Sequence, residues 1–222
     1  MQMTSLLHRA LLVVLATVAP LLAQAQGVAA ATAAPSAPQT PDALVLSLSN
    51  EVLDTIRNDP ALQAGDSGRI NKLIDEKVLP HVNFEKMTRL AVGRGWRTAT
   101  AEQRTALTRE FRALLVRTYS GALSAVKDQQ VKMLPFRMKA DDTDVLVRSV
   151  VVVPSRSDNI QLDYRLEKTE RGWKIYDINV LGVWLVENYK NQFSAKINAD
   201  GVDGLIKQLT EQNKANESKK SS

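Results

Sequence analysis

Apolar residues in the first half of the chain recur at helical spacing. The first predicted helix, over 41–58, has an apolar residue at every fourth position: Leu44, Leu48, Val52 and Ile56. Similar stripes predict a second helix that ends at Pro80 and a short third helix that Asn83 caps and that ends near Gly93. This part of the chain is therefore predicted to be entirely helical.

The longest predicted helix covers 101–127. Thr100 and Gln103 form a capping box at its start, and an apolar stripe then follows along one side. A helix of this length extends about 40 Å. We expect it to be the support against which a sheet packs.

The second half of the chain changes to the two-residue period of strands. Four strands are predicted, over 131–136, 144–153, 160–168 and 173–181. The short connections between them imply antiparallel pairing, and two further helices, over 183–197 and 202–213, close the chain. The pattern predicts an α+β domain with a twisted four-stranded antiparallel sheet that N- and C-terminal helices wrap.

The second predicted strand carries apolar residues on both of its faces. Because side chains alternate along a strand, the residues on one face are Val145, Val147, Val151 and Val153, and those on the other are Leu146, Val150 and Val152. An antiparallel sheet often has one wet face, on which polar residues would be expected. The excess apolar surface fits either a solid three-layer core or an apolar cavity, and periodicity does not separate the two.

The first 25 residues have the pattern of a secretory signal peptide. His8 and Arg9 precede a short apolar stretch, and Ala23-Gln24-Ala25 is a small-x-small cleavage site. We predict cleavage after Ala25 and export to a bacterial periplasm. The rest of the chain is predicted to comprise a flexible leader rich in Ala and Pro, a single domain and a polar tail, over 26–40, 41–213 and 214–222.

The residue inventory excludes several classes of function. The 222 residues include no cysteine and two histidines, His8 and His81, which excludes thiolate catalysis, disulfides and cysteine-containing zinc sites. The net charge is +5, but basic residues are scattered and aromatic residues make up 5 %, so nucleic-acid binding is not predicted. No metal site is predicted either. Asp163, Tyr176 and Asp177 lie on predicted strands, which leaves a carboxylate-based isomerase as an alternative.

Two long segments of the chain resemble one family. They read FEKMTRLAVGRGWRTATAEQRTALTREFRALLVRTY over 84–119 and WKIYDINVLGVWLVENYKNQFSAKINADGVDGL over 173–205. Together with the predicted signal peptide, they resemble the MlaC (toluene-tolerance) family of periplasmic phospholipid-binding proteins. The chain departs from the family pattern at Trp184, where a small polar residue is common.

The resemblance implies a carrier that catalyses no reaction and needs no cofactor besides its phospholipid cargo. Such proteins carry phospholipid between an outer-membrane lipoprotein–porin complex and an inner-membrane ABC transporter with an MCE-domain protein, and hold the acyl chains in an apolar cavity. The candidate wall residues are Val147, Val151, Val153, Leu162, Tyr164, Trp173, Ile175, Val183, Trp184, Val186 and Tyr189. The alternatives are an isomerase-like enzyme on a cone-shaped α+β fold and an interaction module with a solid core.

Overall fold

The structure, a computed structural model, describes residues 39–154 and 159–218, with side chains up to residue 215. The predicted signal peptide over 1–25 lies outside the described residues. So do most of the predicted leader and the last residues of the predicted tail.

The N-terminal half is helical, as the apolar stripes predict. Its helices are α1 (Pro41–Arg57), α2 (Pro60–Gln63), α3 (Ser67–Leu73), α4 (Phe84–Val92), α5 (Gly95–Thr98) and α6 (Ala101–Ser124). A π-helical turn and a 3₁₀ turn connect α3 to α4, at Ile74–Val78 and Leu79–His81. Two caps are confirmed: Asn83 accepts from the backbone N–H of Lys86, and Thr100 and Gln103 form both halves of a capping box.

The sheet has five strands where the sequence predicts four. The strands are β1 (Gln130–Met133), β2 (Asp144–Val152), β3 (Ile160–Thr169), β4 (Gly172–Val180) and β5 (Val183–Trp184), and they pair antiparallel in chain order. The predicted α+β class with an antiparallel sheet and flanking helices is confirmed. The strand that the prediction misses, β5, occupies the residues assigned to the start of a helix.

The turn between β4 and β5 explains the additional strand. Leu181 and Gly182 both have positive φ angles, of 51° and 90°. The side-chain oxygen of Asn179 accepts from the backbone N–H of Gly182 at 2.8 Å. This turn reverses the chain onto β4 before the helix can begin.

The chain ends in α7 (Leu185–Ser218), which contains a break at Gly201. Gly201 has φ 71° and ψ −175°, a backbone conformation that glycine adopts without the steric penalty of a Cβ. The two predicted C-terminal helices therefore exist and meet at this glycine. The second of them continues to Ser218, past its predicted end near Asn213.

Three groups of buried apolar residues form the core. The helical cluster joins α4, α5, α6 and α7 through Met87, Ala91, Val92, Trp96, Leu107, Phe111, Leu114, Leu115, Leu185, Val186, Tyr189, Phe193, Leu205 and Leu209. The sheet cluster joins α1 to β2, β3 and β4 through Leu44, Val45, Leu48, Val145, Val147, Tyr164, Leu166, Trp173 and Ile175. A third cluster packs α2, α3 and the end of α1 around Ile56 and Ile70.

Candidate functional site

One face of the sheet, which we call the interior face, is lined by apolar side chains from three strands. Val147, Tyr164 and Ile178 lie side by side across β2, β3 and β4, and a parallel row contains Val145, Leu166 and Ile175. Residues of α1, among them Leu44 and Leu48, pack against this face. The sheet cluster therefore lies between the interior face and α1.

The apolar residues around the sheet cluster are incompletely covered. Eight residues pack against the cluster and are only partly buried: Val52, Val78, Val82, Met133, Phe136, Met138, Leu162 and Ile178. Burying apolar area that is still accessible lowers the free energy by about 25 cal/mol per Å². Met133 and Met138 add flexible side chains that adapt to the shape of a neighbour. The arrangement suits an apolar ligand that covers these side chains.

The two buried polar groups on the interior face, Tyr164 and Ser149, are neutral. Burial raises the pKa of the Tyr164 phenol, while hydrogen bonds with the Ser149 and Ser49 side chains partly oppose that rise. The Ser149 hydroxyl is fully buried and donates to the backbone carbonyl of Leu162 at 3.2 Å. These groups have hydrogen-bond partners and carry no charge near neutral pH.

An open groove of about 260 Å³ meets the edge of the sheet cluster. Leu44 and Trp173, two members of the sheet cluster, form its apolar part. The other lining residues are Gln39, His81, Lys168, Arg171, Gly172 and Lys174. We call this groove the basic mouth, because three of its side chains are cationic.

The structure brings five of the eleven predicted wall residues together at the sheet cluster. Val147, Tyr164, Trp173 and Ile175 are buried there, and Leu162 is half-buried against them. Val151 is half-buried and lies on the same face of β2 as Val147, by the alternation of the strand. Val153 is buried just beyond the end of β2.

The other four predicted wall residues lie elsewhere. Val186 and Tyr189 are buried in the helical cluster, which meets the sheet cluster at Val82 and Ile178. Val183 is 52 % exposed at the start of β5. Trp184 pairs with Asn179 on the opposite face of the sheet, and the Arg165 guanidinium stacks 4.0 Å from its ring centroid. Trp184 therefore lies apart from the sheet cluster.

Sequence reasoning missed the contribution of α1 and of the segment after β1. Leu44, Val45 and Leu48 cover the interior face, while Phe136 and Met138 pack at its edge. The apolar residues that recur at every fourth position of α1 indicate that this helix packs against the core. They do not indicate which face of the sheet it covers. Phe136 and Met138 lie on either side of Arg137, so apolar and polar residues alternate briefly after β1.

Asp177, the candidate acid of the isomerase alternative, has a structural role. It is 1 % exposed, and its Oδ1 accepts from the backbone N–H groups of Ile178 at 2.9 Å and Val186 at 3.0 Å. Arg165 donates to Oδ2 at 3.2 Å. Burial raises the pKa of this carboxyl, against the opposing effect of those partners. Asp177 thus joins β4 to the first turn of α7.

The other two candidates of that alternative also have partners. Asp163 accepts from the Gln161 side-chain amide at 3.0 Å. The Tyr176 hydroxyl donates to Asp144 at 2.8 Å, and Lys86 lies 3.6 Å from the ring centroid of Tyr176. Burial and the neighbouring Asp144 carboxylate raise the pKa of Tyr176. The three residues are engaged in separate contacts and do not form a shared acid–base site.

The described residues provide neither a metal site nor a membrane span. Within 39–154 and 159–218, no three His, Asp or Glu side chains converge on a position for a metal ion. In the same part of the chain, no helix combines the length and the apolar character that crossing a bilayer requires.

Comparisons with known proteins agree with this architecture. The solved structure of a phospholipid-binding protein from Ralstonia solanacearum, in complex with a phospholipid, is 44 % identical to this chain, with a TM-score of 0.76. That similarity covers 81 % of this chain and 99 % of the other. The intermembrane phospholipid transport system binding protein MlaC of Haemophilus influenzae is 22 % identical over 172 residues, which are 77 % of this chain and 80 % of that protein. Residues 46–211 match the family model of the MlaC protein, and the chain therefore belongs to the MlaC family.

Proposed function

We propose that this protein is a periplasmic carrier that holds the acyl chains of a phospholipid against the sheet cluster and moves the lipid between the outer and inner membranes. The observation that carries the proposal is the set of partly buried apolar side chains that pack against that cluster. The phospholipid complex of the Ralstonia solanacearum relative supports it. So does the name of the Haemophilus influenzae relative, which describes an intermembrane phospholipid transport system.

The energetics of such a carrier depend on apolar surface. Two acyl chains contain about 30 methylenes, each of which favours an apolar environment over water by about 0.8 kcal/mol. The lipid therefore leaves a bilayer only if the protein replaces roughly 24 kcal/mol of transfer free energy. The wall that we propose consists of Val147, Leu162, Tyr164, Trp173 and Ile175, with α1 opposite them and Val151 at the edge.

The carrier exchanges its lipid with a membrane complex at each end of its route. We propose an outer-membrane lipoprotein–porin complex on one side and an inner-membrane ABC transporter with an MCE-domain protein on the other. No bond is made or broken in this cycle, so the protein needs no acid–base pair and no metal. The neutral interior, where Tyr164 and Ser149 are the polar groups, fits that requirement.

A lipid-transfer assay with two glutamate variants tests the proposal. Donor vesicles of phosphatidylethanolamine and phosphatidylglycerol carry a radiolabelled phosphatidylethanolamine, and label in unlabelled acceptor vesicles is measured with and without protein. We expect Val151→Glu to slow transfer at least about tenfold, because a carboxylate on the wall must be desolvated when the acyl chains bind. Leu146→Glu places the same charge on the exposed face of the same strand and is the matched control.

The two variants are compared after their folding has been verified by circular dichroism and urea unfolding. We expect Leu146→Glu to transfer lipid within about twofold of the unchanged protein, since exposed substitutions usually have small effects. Equal transfer by Val151→Glu and Leu146→Glu would contradict the assignment of the interior face. An unchanged protein that transfers no lipid would contradict the carrier function itself.

A further inference from the structure

The apolar row of β3 on the interior face ends in a cation. Alternate residues of this strand, Leu162, Tyr164 and Leu166, point toward the sheet cluster, and the next residue in the same row is Lys168. Lys168 is exposed, and its partner across the strand pair is Trp173, a buried member of the cluster. The boundary between apolar interior and water therefore falls between Leu166 and Lys168.

Two further cations surround the same boundary. Arg171 lies in the β3–β4 turn and is exposed, while Lys174 follows Trp173 on β4 and is half-buried. Together with Lys168 they line the basic mouth, whose apolar part is Leu44 and Trp173. A phospholipid has a matching arrangement: its two acyl chains are apolar, and its anionic phosphodiester lies at one end of them. Acyl chains on the sheet cluster would therefore place the phosphodiester beside the three cations.

Among the described side chains, no carboxylate forms an ion pair with any of the three cations. In the described part of the chain, no Asp or Glu oxygen lies within 4.0 Å of the charged nitrogens of Lys168, Arg171 or Lys174. Lys174 donates to the backbone carbonyl of Pro80, which holds its ammonium beside His81. Burial and the Lys174 charge both lower the pKa of His81, so this imidazole is neutral at pH 7 and adds no further charge.

We propose that Lys168, Arg171 and Lys174 form a subsite for the phosphate group of the lipid head. The proposal rests on the proposed function, because the acyl chains bring the phosphate to the mouth. Each exposed cation contributes little by itself, since water and salt screen it. Their combined effect is selectivity for glycerophospholipids over neutral lipids with the same chains.

The subsite is tested with lipids that differ only in the phosphate group. The lipid-free protein is exposed to dioleoyl phosphatidylglycerol or to dioleoylglycerol, and bound lipid is quantified by native mass spectrometry. The test variant is Lys168→Gln/Arg171→Gln, which leaves Lys174 and its bond to Pro80 in place. The matched control is Lys190→Gln/Lys207→Gln, which removes two exposed charges from α7.

We expect the test variant to lose about tenfold in affinity for dioleoyl phosphatidylglycerol and to bind dioleoylglycerol as the unchanged protein does. The control should bind both lipids normally, and Lys168→Arg/Arg171→Lys should retain the preference for the phospholipid. Unchanged phosphatidylglycerol affinity in the test variant would overturn the subsite. An equal loss of affinity for both lipids would overturn the subsite as well, because such a loss would indicate that Lys168 and Arg171 have a structural role.

A separate titration with sn-glycerol 3-phosphate and inorganic phosphate distinguishes a lipid head from a free phosphate. We expect no saturable binding of either at millimolar concentration, because the exposed cations alone do not hold a soluble anion. Saturable binding that the test variant loses would overturn the assignment to a lipid head group. Failure of the unchanged protein to bind both dioleoyl lipids would instead contradict the carrier function and remove the subsite with it.

Discussion

The helical cluster and the sheet cluster differ in how completely their residues are buried. Among the described residues, the helical cluster has 14 buried members and 8 partly buried neighbours, whereas the sheet cluster has 9 and 8, so nearly half of its apolar residues remain accessible. The helical cluster also contains contacts between aromatic rings. The Phe111 ring meets those of Tyr189 and Phe193 edge-on, with centroids 5.0 and 5.1 Å apart.

This difference indicates a division of roles within one domain. Close packing of α4, α6 and α7 provides stability, because interlocked side chains lose dispersion contacts when any one of them is shortened. The partly exposed side chains around the sheet cluster offer apolar surface that a ligand can cover. Val82 and Ile178 pack against both clusters. The sheet cluster, where we place the ligand, is therefore connected directly to the tightly packed helical cluster.

The largest expected effect comes from shortening the aromatic side chain at the centre of the helical cluster. Phe111→Ala should lower the free energy of unfolding by about 3–5 kcal/mol, since Phe111 is fully buried and the cavity left behind cannot close completely. Urea unfolding measures this change. Leu90→Ala, at a residue 37 % exposed on α4, is the control and should cost far less. Equal costs for the two variants would abolish the distinction between the clusters.

Enlarging one residue in each cluster gives the next largest effect. Ala91→Phe should destabilise the protein by about 1–3 kcal/mol, because Ala91 is fully buried among the packed helices. Leu162→Phe enlarges a half-buried residue of the interior face and should cost less than about 1 kcal/mol, while reducing bound lipid. Urea unfolding and extraction of co-purified lipid measure the two effects. A larger cost at Leu162 than at Ala91 would show that the sheet cluster is the more tightly filled one.

Removing the buried hydroxyl group of Tyr164 has a smaller effect on stability. Tyr164→Phe should destabilise the lipid-free protein by about 1 kcal/mol, the usual contribution of one hydrogen-bonded group. Bound acyl chains should be retained, because the ring remains in the wall. Urea unfolding together with lipid extraction checks both outcomes, and complete loss of lipid would indicate that the hydroxyl binds the cargo.

The carboxylate that joins β4 to α7 should make stability depend on pH. The pKa of Asp177 is raised in the folded protein above its ordinary value of 3.8, so the folded state holds a proton that the unfolded chain releases. This contribution to stability is present below pH 3.8 and is lost as the pH rises through the raised pKa. Relative to Asp177→Asn, the unchanged protein should therefore lose stability as the pH rises, by less than about 1.4 kcal/mol per pH unit.

Urea unfolding of the two proteins across a pH series that begins below 3.8 measures this difference. Asp177→Asn is a suitable reference because its side chain has the size of the protonated acid and does not titrate. A difference that grows in favour of the unchanged protein with rising pH would mean that the Arg165 ion pair outweighs burial.

Periodicity and capping predicted most of the elements. The box at Thr100, the cap at Asn83 and the four longer strands follow from residues that are close together in the chain. The fifth strand was missed because Leu181 adopts a positive φ angle, which is unfavourable for a leucine and has no local sequence signal. A helix was predicted from Val183, but the turn at Gly182 first pairs Val183 with Val180.

The candidate site was predicted less completely than the fold. Val147, Tyr164 and Ile175 are predicted wall residues, and all three lie in the sheet cluster. Alternation did not indicate that Trp184 stacks under Arg165 on the other face, since β5 was not foreseen. The contribution of α1 depends on contacts between α1 and β2, which lie about 100 residues apart in the chain, and periodicity carries no information about such contacts.

Native mass spectrometry of protein purified without added lipid shows whether a phospholipid is bound at the sheet cluster. If acyl chains occupy the space beside the sheet cluster, the intact complex should be heavier than the polypeptide by the mass of a phospholipid, and organic extraction should recover that lipid. A preparation that shows the bare mass of the polypeptide, and that acquires no lipid on incubation with phospholipid vesicles, would contradict phospholipid binding by this protein.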